Sequence, residues 1–480
     1  MEELRRSVVR LAAISKPVRW YHPWEFGYQQ NSNGSGCIID GDRILTAAHL
    51  VADALHIQVT KANDVRSYSA RVLSVDHDSE LALLAVDDSH FFAGTKSVCL
   101  GDLPAHHATV SVWGFPSNGK EVCITSGVVS RIEVTPYSHS GRYLLALQTD
   151  AAINPGSSGG PVFLNSQLVG IAFQSHEASE FHRSGYVIPV PVVSHFLADL
   201  EDGSVGGVPD LGIHWQKIEN DNLREYAGLD SDRSGVLVSN VVLGSSADGV
   251  LERGDVVTSI DHVPIACDGS IPLSNDHRVN FAHTVNSRQV GEAVQIGIIR
   301  GGERVDREVR LKRLSTLVPL PQPSARATYF ISAGLVFQPL SVNYITIWGW
   351  DKADCRFKSD YHYGHPSAQR SEVVLLSHVL AHDVNVGYHQ VKGAVVVRVN
   401  NKQIRHMKDL VDAFRQPSGR FQVIELENAG IRAYDSCASR VAWIVIDVER
   451  ALDASAEILL QHGIAADRSA DLRGVEPSVA

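Results

Sequence analysis

At 480 residues the chain is long enough for about three domains of ~150 residues each. Apolar residues make up 44% and charged residues 20%, the composition of a core-forming chain rather than a disordered or fibrous one. The formal charge of −11 argues against a general nucleic-acid binder, because phosphate contacts need a surplus of Lys and Arg. No apolar run reaches the roughly 18 residues of a membrane span. Arg10 interrupts the apolar stretch at the N-terminus, so no secretory signal is expected and a cytoplasmic location follows as an expectation. The cysteines (Cys37, Cys99, Cys123, Cys267, Cys355 and Cys437) are scattered, with no CxxC pair. This predicts free thiols rather than a disulfide framework or a zinc site. The 22 histidines are dispersed too, and no metal is expected.

In chain order, the first 200 residues read as mainly β. Residues 36–49 carry two short apolar runs around Asp40-Gly41, a hairpin signal. Residues 162–164 and 168–173 flank a second turn at Asn165-Ser166, and residues 186–189 form another strand candidate. Many short strands with turn signals predict a barrel or sandwich. Helical character in this part is confined to residues 191–200, and the Gly/Pro/acidic stretch 201–210 reads as a linker. A second segment, about 211–314, ends in a hairpin pattern around Gly301-Gly302. Residues 319–323 are a Pro-rich spacer. A third segment, about 328–448, is followed by a predicted helix over 449–462 with Gly463 at its C-cap. Residues 465–480 are polar and read as frayed. One internal repeat stands out. Gly254-Asp255-Val256-Val257, Ile260-Asp261 and Ile265 align without gaps with Gly393-Ala394-Val395-Val396, Val399-Asn400 and Ile404, and each copy precedes a helix-like stretch. One β-rich module is therefore followed by two copies of another.

The sharpest chemical signal is residues 154–161, Asn-Pro-Gly-Ser-Ser-Gly-Gly-Pro, between strands. Glycines let the backbone turn its N–H groups into one concavity, which can stabilise an oxyanion if a nucleophile stands beside it. Serine needs a base, usually histidine. Thr46-Ala47-Ala48-His49 supplies one directly after a predicted strand. Gly156-x-Ser158-x-Gly160 also fits the nucleophile elbow of α/β-hydrolases. That reading needs a helix after the serine, whereas residues 162–173 read as a hairpin.

TAAH at residues 46–49, GSSGGPV at 156–162 and LALL at 81–84 resemble the trypsin-like serine protease domain of the HtrA/Deg family. The order His, acid, Ser is that of chymotrypsin. Residues 235–257 resemble the PDZ module that follows the protease in that family. Leu211-Gly212-Ile213 and residues 334–337 resemble the carboxylate-binding loops that open such modules. ITSGVVSRIE (124–133), QTDAAIN (148–154) and ADLRG (470–474) are similar to the plant Deg-type branch with two PDZ modules. The resemblance implies a mainly β fold: a chymotrypsin-like double β-barrel at 1–200, then PDZ-like α+β modules at 211–315 and 327–463, the latter with a C-terminal helix. It implies Ser158 as nucleophile, His49 as base, and the N–H groups of Gly156 and Ser158 as oxyanion hole. Alignment puts Glu80 where the family carries the orienting Asp, and Asp78, two residues earlier, is the alternative. Ser157 stands where Asn or Asp usually precedes the nucleophile. Ala152, Ile153 and Phe173 are candidate pocket walls.

The implied activity is ATP-independent endoproteolysis of unfolded or damaged proteins in quality control, without a cofactor. The implied partners are unfolded polypeptides and C-terminal peptides, the latter held at Leu211, Gly212 and Ile213, with assembly as a homotrimer or hexamer. The alternative is a non-catalytic peptide-binding scaffold or holdase on a protease fold.

Overall fold

A computed structural model describes residues 2–474 except 117–118, 120, 178–182, 202–204, 231–232, 275–276, 418 and 428–440. Cys437 lies outside the described residues; Cys37, Cys99, Cys123, Cys267 and Cys355 are free thiols. The chain divides into two compact units, Met1–Lys16 with Gln29–Leu314, and Pro17–Tyr28 with Ser315–Ala480.

The first unit opens with a short helix, Glu2–Arg5, which the apolar pattern does not announce. Six strands then close into a barrel: Val8–Ser15, Gln30–Ile39, Arg43–Ala47, Ala54–Lys61, Ser67–Asp76 and Leu81–Val86. Six more close a second barrel: Thr109–Gly114, Cys123–Pro136, Tyr143–Thr149, Pro161–Leu164, Gln167–Glu177 and Arg183–Pro189. Closure leaves no strand edge open and buries the inward face of each strand. Leu11, Ile44, Leu84 and Phe91 fill one barrel, and Val110, Leu145, Leu147 and Val162 are buried in the other. The turn at Asn165-Ser166 has both residues at positive φ (50° and 68°), the conformation that a two-residue hairpin turn needs. The segment after Ser158 is thus a hairpin, and the hydrolase elbow is excluded. Helix Val190–Asp199 follows, with proline in its first turn where no N–H is required.

Residues 213–310 form a sheet in the order Ile213–Lys217, Val236–Val241, Val256–Ile260, Ala293–Arg300, Glu303–Arg310. Short helices Asp221–Tyr226 and Ala282–Asn286 pack with it. This module is fastened to the second barrel and to the helix that follows it. Asn286 Nδ2 donates to Tyr143 O (2.7 Å), His277 Nε2 to Ile132 O (2.6 Å) and His195 Nε2 to Arg288 O (2.8 Å). One apolar cluster runs from Leu145 and Val187 into Val285 and Ile296.

In the second unit the order is Phe330–Ser332, Leu335–Pro339, Val374–Val379, Ala394–Val399, Phe421–Glu427, Val441–Asp447, with helices Met407–Arg415 and Val448–Gln461. The internal repeat is real in three dimensions. Val256–Ile260 and Ala394–Val399 occupy matching sheet positions, and each runs into a two-residue turn at positive φ (Asp261-His262 and Asn400-Asn401). Two expectations need correction. Residues 465–474 are not frayed: Ile331 N donates to Asp467 O (2.7 Å), Ser469 N to Tyr329 O (3.0 Å), and Leu472 is buried. Residues 17–28 belong to this unit, and Tyr21 stacks on His378 at 4.4 Å.

A buried ion pair staples the first repeat copy. Asp255 is 2% exposed and accepts from Arg300 Nε and Nη2 (both 2.7 Å) and from Glu252 N (2.8 Å). Removing Asp255 leaves Arg300, which is 29% exposed and still pairs with Glu252 (3.0 Å), so the loss is about 2 kcal/mol, the scale of hydrogen bonds to a charged group. Asp255→Ala is expected to lower hydrogen-exchange protection across Val256–Ile260 and Ala293–Arg300 by about thirtyfold, with the first barrel unaffected.

Candidate active site

His49 sits in a single 3₁₀ turn, Ala48–Leu50, at the end of strand Arg43–Ala47. That strand pairs with Leu81–Val86 in a register that sets Ala47 opposite Leu81, which brings the residue before Leu81 beside the histidine. That residue is Glu80. Its carbonyl accepts from Ala48 N (3.0 Å), and its carboxylate Oε1 accepts from His49 N (3.3 Å) and makes a short contact with His49 Nδ1. Glu80 is completely buried, whereas the His49 side chain remains about one-third exposed at 33%. Burial raises the Glu80 pKa, and the His49 hydrogen bond opposes that rise.

Glu80 has φ of +64°, which a residue with a Cβ adopts only when its surroundings impose it, at a cost of roughly 1–3 kcal/mol. Its surroundings are well fixed. Asp76 accepts from the amides of Asp78 (3.0 Å) and Ser79 (3.1 Å), which tightens the turn before Glu80. Asp78 points elsewhere, forming ion pairs with Arg142 (3.4 Å) and Arg313 (2.9 Å). The structure thus brings Glu80 to His49 and takes Asp78 away from it.

The glycine-rich loop reaches across from the second barrel to the first. Ser35 N donates to Ser158 O (2.8 Å), Ser35 Oγ to Gly156 O (2.8 Å), and Thr46 Oγ1 to Ser35 O (2.7 Å). Phe115 N in turn donates to Ser35 Oγ (2.8 Å). Gly156 and Gly159 lie at φ of +95° and +79°. A Cβ on Gly159 would stand 2.2 Å from Ser35 O and 2.3 Å from Thr46 Oγ1, so the close approach of the barrels at this point requires glycine. Ser157 is buried and its amide donates to Asn154 O (2.9 Å); Ser158 is half-buried. Neither the Gly156 nor the Ser158 amide donates to a backbone oxygen among the described residues. Of the candidate pocket walls, Ala152 is exposed, Ile153 lies at the surface of the core, and Phe173 is a core residue against Tyr137 (4.6 Å).

Three contributors carry no local signature in the sequence: Ser35, which bonds the glycine-rich loop, and Arg142 and Arg313, which hold Asp78. Only their long-range contacts define them.

In the first PDZ-like sheet, Leu211 is buried and Ile213 opens the terminal strand. Gly212, at φ +70°, donates its amide to Asp210 Oδ1 (2.7 Å) and accepts from Val242 N (2.8 Å). In the second unit Gly334 holds the matching place, but not in an open loop. Ala333 and Gly334 (φ 50° and 80°) form a tight hairpin turn, and Phe330–Ser332 folds back to pair with Leu335–Pro339. The expectation of an open carboxylate-binding loop at residues 334–337 is therefore corrected, because the chain's own strand occupies that sheet edge.

A trypsin-like peptidase domain model matches residues 34–171, and PDZ domain models match 209–311 and 318–471. Protease Do-like 2, chloroplastic, of Arabidopsis thaliana is 37% identical over 98% of this chain and 76% of its own length. Protease Do-like 4, mitochondrial, of the same organism is 34% identical over 95% of this chain and 84% of its own. Among solved structures, HtrA-type protease AlgW with tripeptide is similar at 25% identity and a TM-score of 0.50, covering 65% of this chain and 95% of that one. The chain belongs to the Deg/Do-like, HtrA-type family of serine endopeptidases, with a trypsin-like peptidase domain followed by two PDZ domains.

Proposed function

We propose that Ser158, His49 and Glu80 carry out the peptide-bond cleavage. Ser158 Oγ attacks the scissile carbonyl carbon while His49 Nε2 takes its proton. The carbonyl oxygen becomes an oxyanion held by the N–H groups of Gly156 and Ser158. His49 then protonates the leaving amine, and water repeats the sequence to release the acid from the serine ester. Glu80 fixes the His49 tautomer with Nδ1 protonated and stabilises the imidazolium. The observation that carries this reading is the buried Glu80 carboxylate on His49 Nδ1, beside a serine loop bonded to the same barrel through Ser35. The burial of Ser157 favours Ser158 as nucleophile.

A fluorophosphonate probe is expected to label Ser158 in the native chain and in Ser157→Ala, and not in Ser158→Ala. Should Ser157→Ala abolish labelling while Ser158→Ala keeps it, the nucleophile is Ser157. Should the native chain neither label nor degrade unfolded casein, the scaffold reading replaces the enzyme.

Glu80→Ala is expected to lower kcat by about 10³–10⁴, the scale seen for the triad acid elsewhere. Asp78→Ala, measured in the same casein assay, is expected to stay within about tenfold of wild type. The reverse order would make Asp78 the orienting acid.

The substrates are proposed to be unfolded or damaged polypeptides, cleaved without ATP or cofactor. C-terminal peptides are assigned to the first PDZ domain, added along Ile213–Lys217 with their carboxylate at Leu211, Gly212 and Ile213. The terminal position of that strand supports the assignment. Calorimetry with a free-carboxyl decapeptide is expected to give one site per chain, and the amidated peptide should bind at least tenfold more weakly. Two sites, or equal affinities, would remove the assignment.

A homotrimer or hexamer is proposed from the family, with a light-scattering mass of three or six protomers as its check. No nucleic-acid partner is proposed, and the charge of −11 supports that. No helix among the described residues is long and apolar enough to cross a membrane. The cytoplasmic location remains a proposal, against which stand the chloroplastic and mitochondrial names of the relatives. Fractionation of the tagged full chain decides between them.

A further inference from the structure

The catalytic assignment uses one oxygen of Glu80. The other, Oε2, is buried and has no hydrogen-bond partner among the described residues. Burial without a donor penalises the charged form of a carboxylate, and so weakens the charge that the dyad depends on.

The hairpin turn between strands Cys123–Pro136 and Tyr143–Thr149 lies against this oxygen. Four of its contacts grip the acid loop from the opposite barrel. Ser140 Oγ donates to Asp78 O (3.0 Å), and Arg142 Nε stands 3.4 Å from Asp78 Oδ1. His139 Nε2 lies 2.9 Å from His77 Nδ1 and 3.7 Å from Glu80 Oε2. The His139 side chain is only 11% exposed.

Two tautomer pairs fit these distances. One hydrogen must lie between His139 Nε2 and His77 Nδ1. If His77 supplied it, the His139 Nε2 lone pair would accept that hydrogen, and His139 would offer Glu80 Oε2, 3.7 Å away, no donor. If His139 supplies it, the same Nε2–H lies within reach of both His77 Nδ1 and Glu80 Oε2. A shortening of about 0.5 Å brings the second contact into hydrogen-bond range, as catalytic contacts do on substrate binding.

We propose that His139 is a positioning residue for Glu80, presenting a neutral Nε2–H to Oε2 so that Oε1 stays charged and aimed at His49. This rests on the reading of Glu80 and His49 as the catalytic dyad.

Most other polar groups of the acid loop and the hairpin are committed, Ser79 Oγ and His77 Nε2 being buried without a hydrogen-bond partner among the described residues. Asp76 accepts from two amides, and Asp78 is held by Arg142 and Arg313. The Tyr137 hydroxyl, whose pKa is raised by burial and by the Glu80 charge, donates to Leu145 O (2.5 Å). His77 is driven toward neutrality by burial. Burial likewise lowers the His139 pKa to about 3, with His77 and His49 adding to the effect, so this ring acts as a neutral donor across the working pH range. A Gln at this position carries an amide N–H over a similar reach, whereas a Phe fills the space with no donor.

The sign of the effect follows. Without the N–H, the Glu80 charge is less compensated, and protonation of the His49–Glu80 pair becomes easier. The acid limb of the kcat/KM profile must therefore move to higher pH.

In the full chain, His139→Phe is expected to lower kcat on a peptide substrate about tenfold with KM within twofold. Its acid limb should rise by about 0.5–1 pH unit, and His139→Gln should restore both. His139→Asn, too short to reach, takes the place of His139→Phe if near-UV circular dichroism shows that variant unfolded, and the same shift is expected of it. An acid limb within 0.2 unit of wild type in the folded donor-less variant overturns the proposal. So does equal loss in His139→Phe and His139→Gln, which marks packing alone. Glu80→Ala separates the two readings. If it retains wild-type proteolysis, the dyad assignment has failed. If it is inactive while the donor-less variant keeps its profile, only the role of His139 has failed.

Discussion

A carboxylate removed entirely from water is the constraint around which the peptidase domain is arranged. Burying a charge is tolerable only where opposite charge or hydrogen-bond donors compensate it. For Glu80 the compensation comes from His49 through both its backbone amide and its ring. The same residue sits at positive φ, so both its backbone and its side chain are held in costly states. A loop that must be this rigid needs anchors on all sides. Asp76 ties its start through two amides, Ala48 N ties its end, and the hairpin at residues 137–142 of the other barrel covers its outer face. Local strain at a site held by surrounding bonds is the pattern expected where geometry matters more than stability.

The serine loop reaches the same seam by different means. Its donors and acceptors are backbone groups, and on the first barrel they meet the backbone N–H and the small hydroxyl of Ser35, whose own carbonyl accepts from Thr46 Oγ1. Small residues are required because the two barrels approach until no Cβ fits at Gly159. The first barrel therefore carries His49 and Glu80, the second carries the Ser158 loop and its amides, and Ser35 registers one against the other. In the proposed triad a displacement of the barrels by about an ångström would separate His49 from Ser158, so the Ser35 bonds would act on catalysis without touching substrate.

Much of this was legible from residues alone, and the division between legible and hidden has a physical cause. The strands of both barrels announce themselves by short apolar runs and by turn residues that tolerate positive φ, as at Asn165-Ser166. The gapless repeat predicted two copies of one module, and the Asp261-His262 and Asn400-Asn401 turns fall at equivalent places in them. His49 and the serine loop were visible because their chemistry needs particular residue types in short runs. What stayed hidden depends on contacts between distant residues. Ser35 is one serine among many until the glycine-rich loop lies on it. Asp78 and Glu80 lie two residues apart, and alignment favoured Glu80 with Asp78 as the alternative; the positive φ at Glu80 and the arginines at Asp78 separate them. The polar composition of residues 465–474 suggested fraying, yet their backbone is bonded to Tyr329 and Ile331.

The two PDZ domains show how one repeat can give unequal surfaces. In each, a glycine at positive φ (Gly212 or Gly334) leads into the strand that would receive a peptide, and the next two strands follow in the same order. In the first, that strand ends the sheet, and an edge strand exposes N–H and C=O groups that another chain can pair. In the second, three further residues, Phe330–Ser332, pair outside it, and residues 467–469 bond to the far side of those. The backbone groups a peptide would use there are already paired within the chain. A ligand would have to displace two layers of the chain's own hydrogen bonds, together with the buried Phe330 side chain, before gaining any of its own. Of the two sheets, the first therefore leaves its terminal strand Ile213–Lys217 available for strand addition, and it is also the one bonded to the second barrel through Asn286 and His277 and to helix Val190–Asp199 through His195.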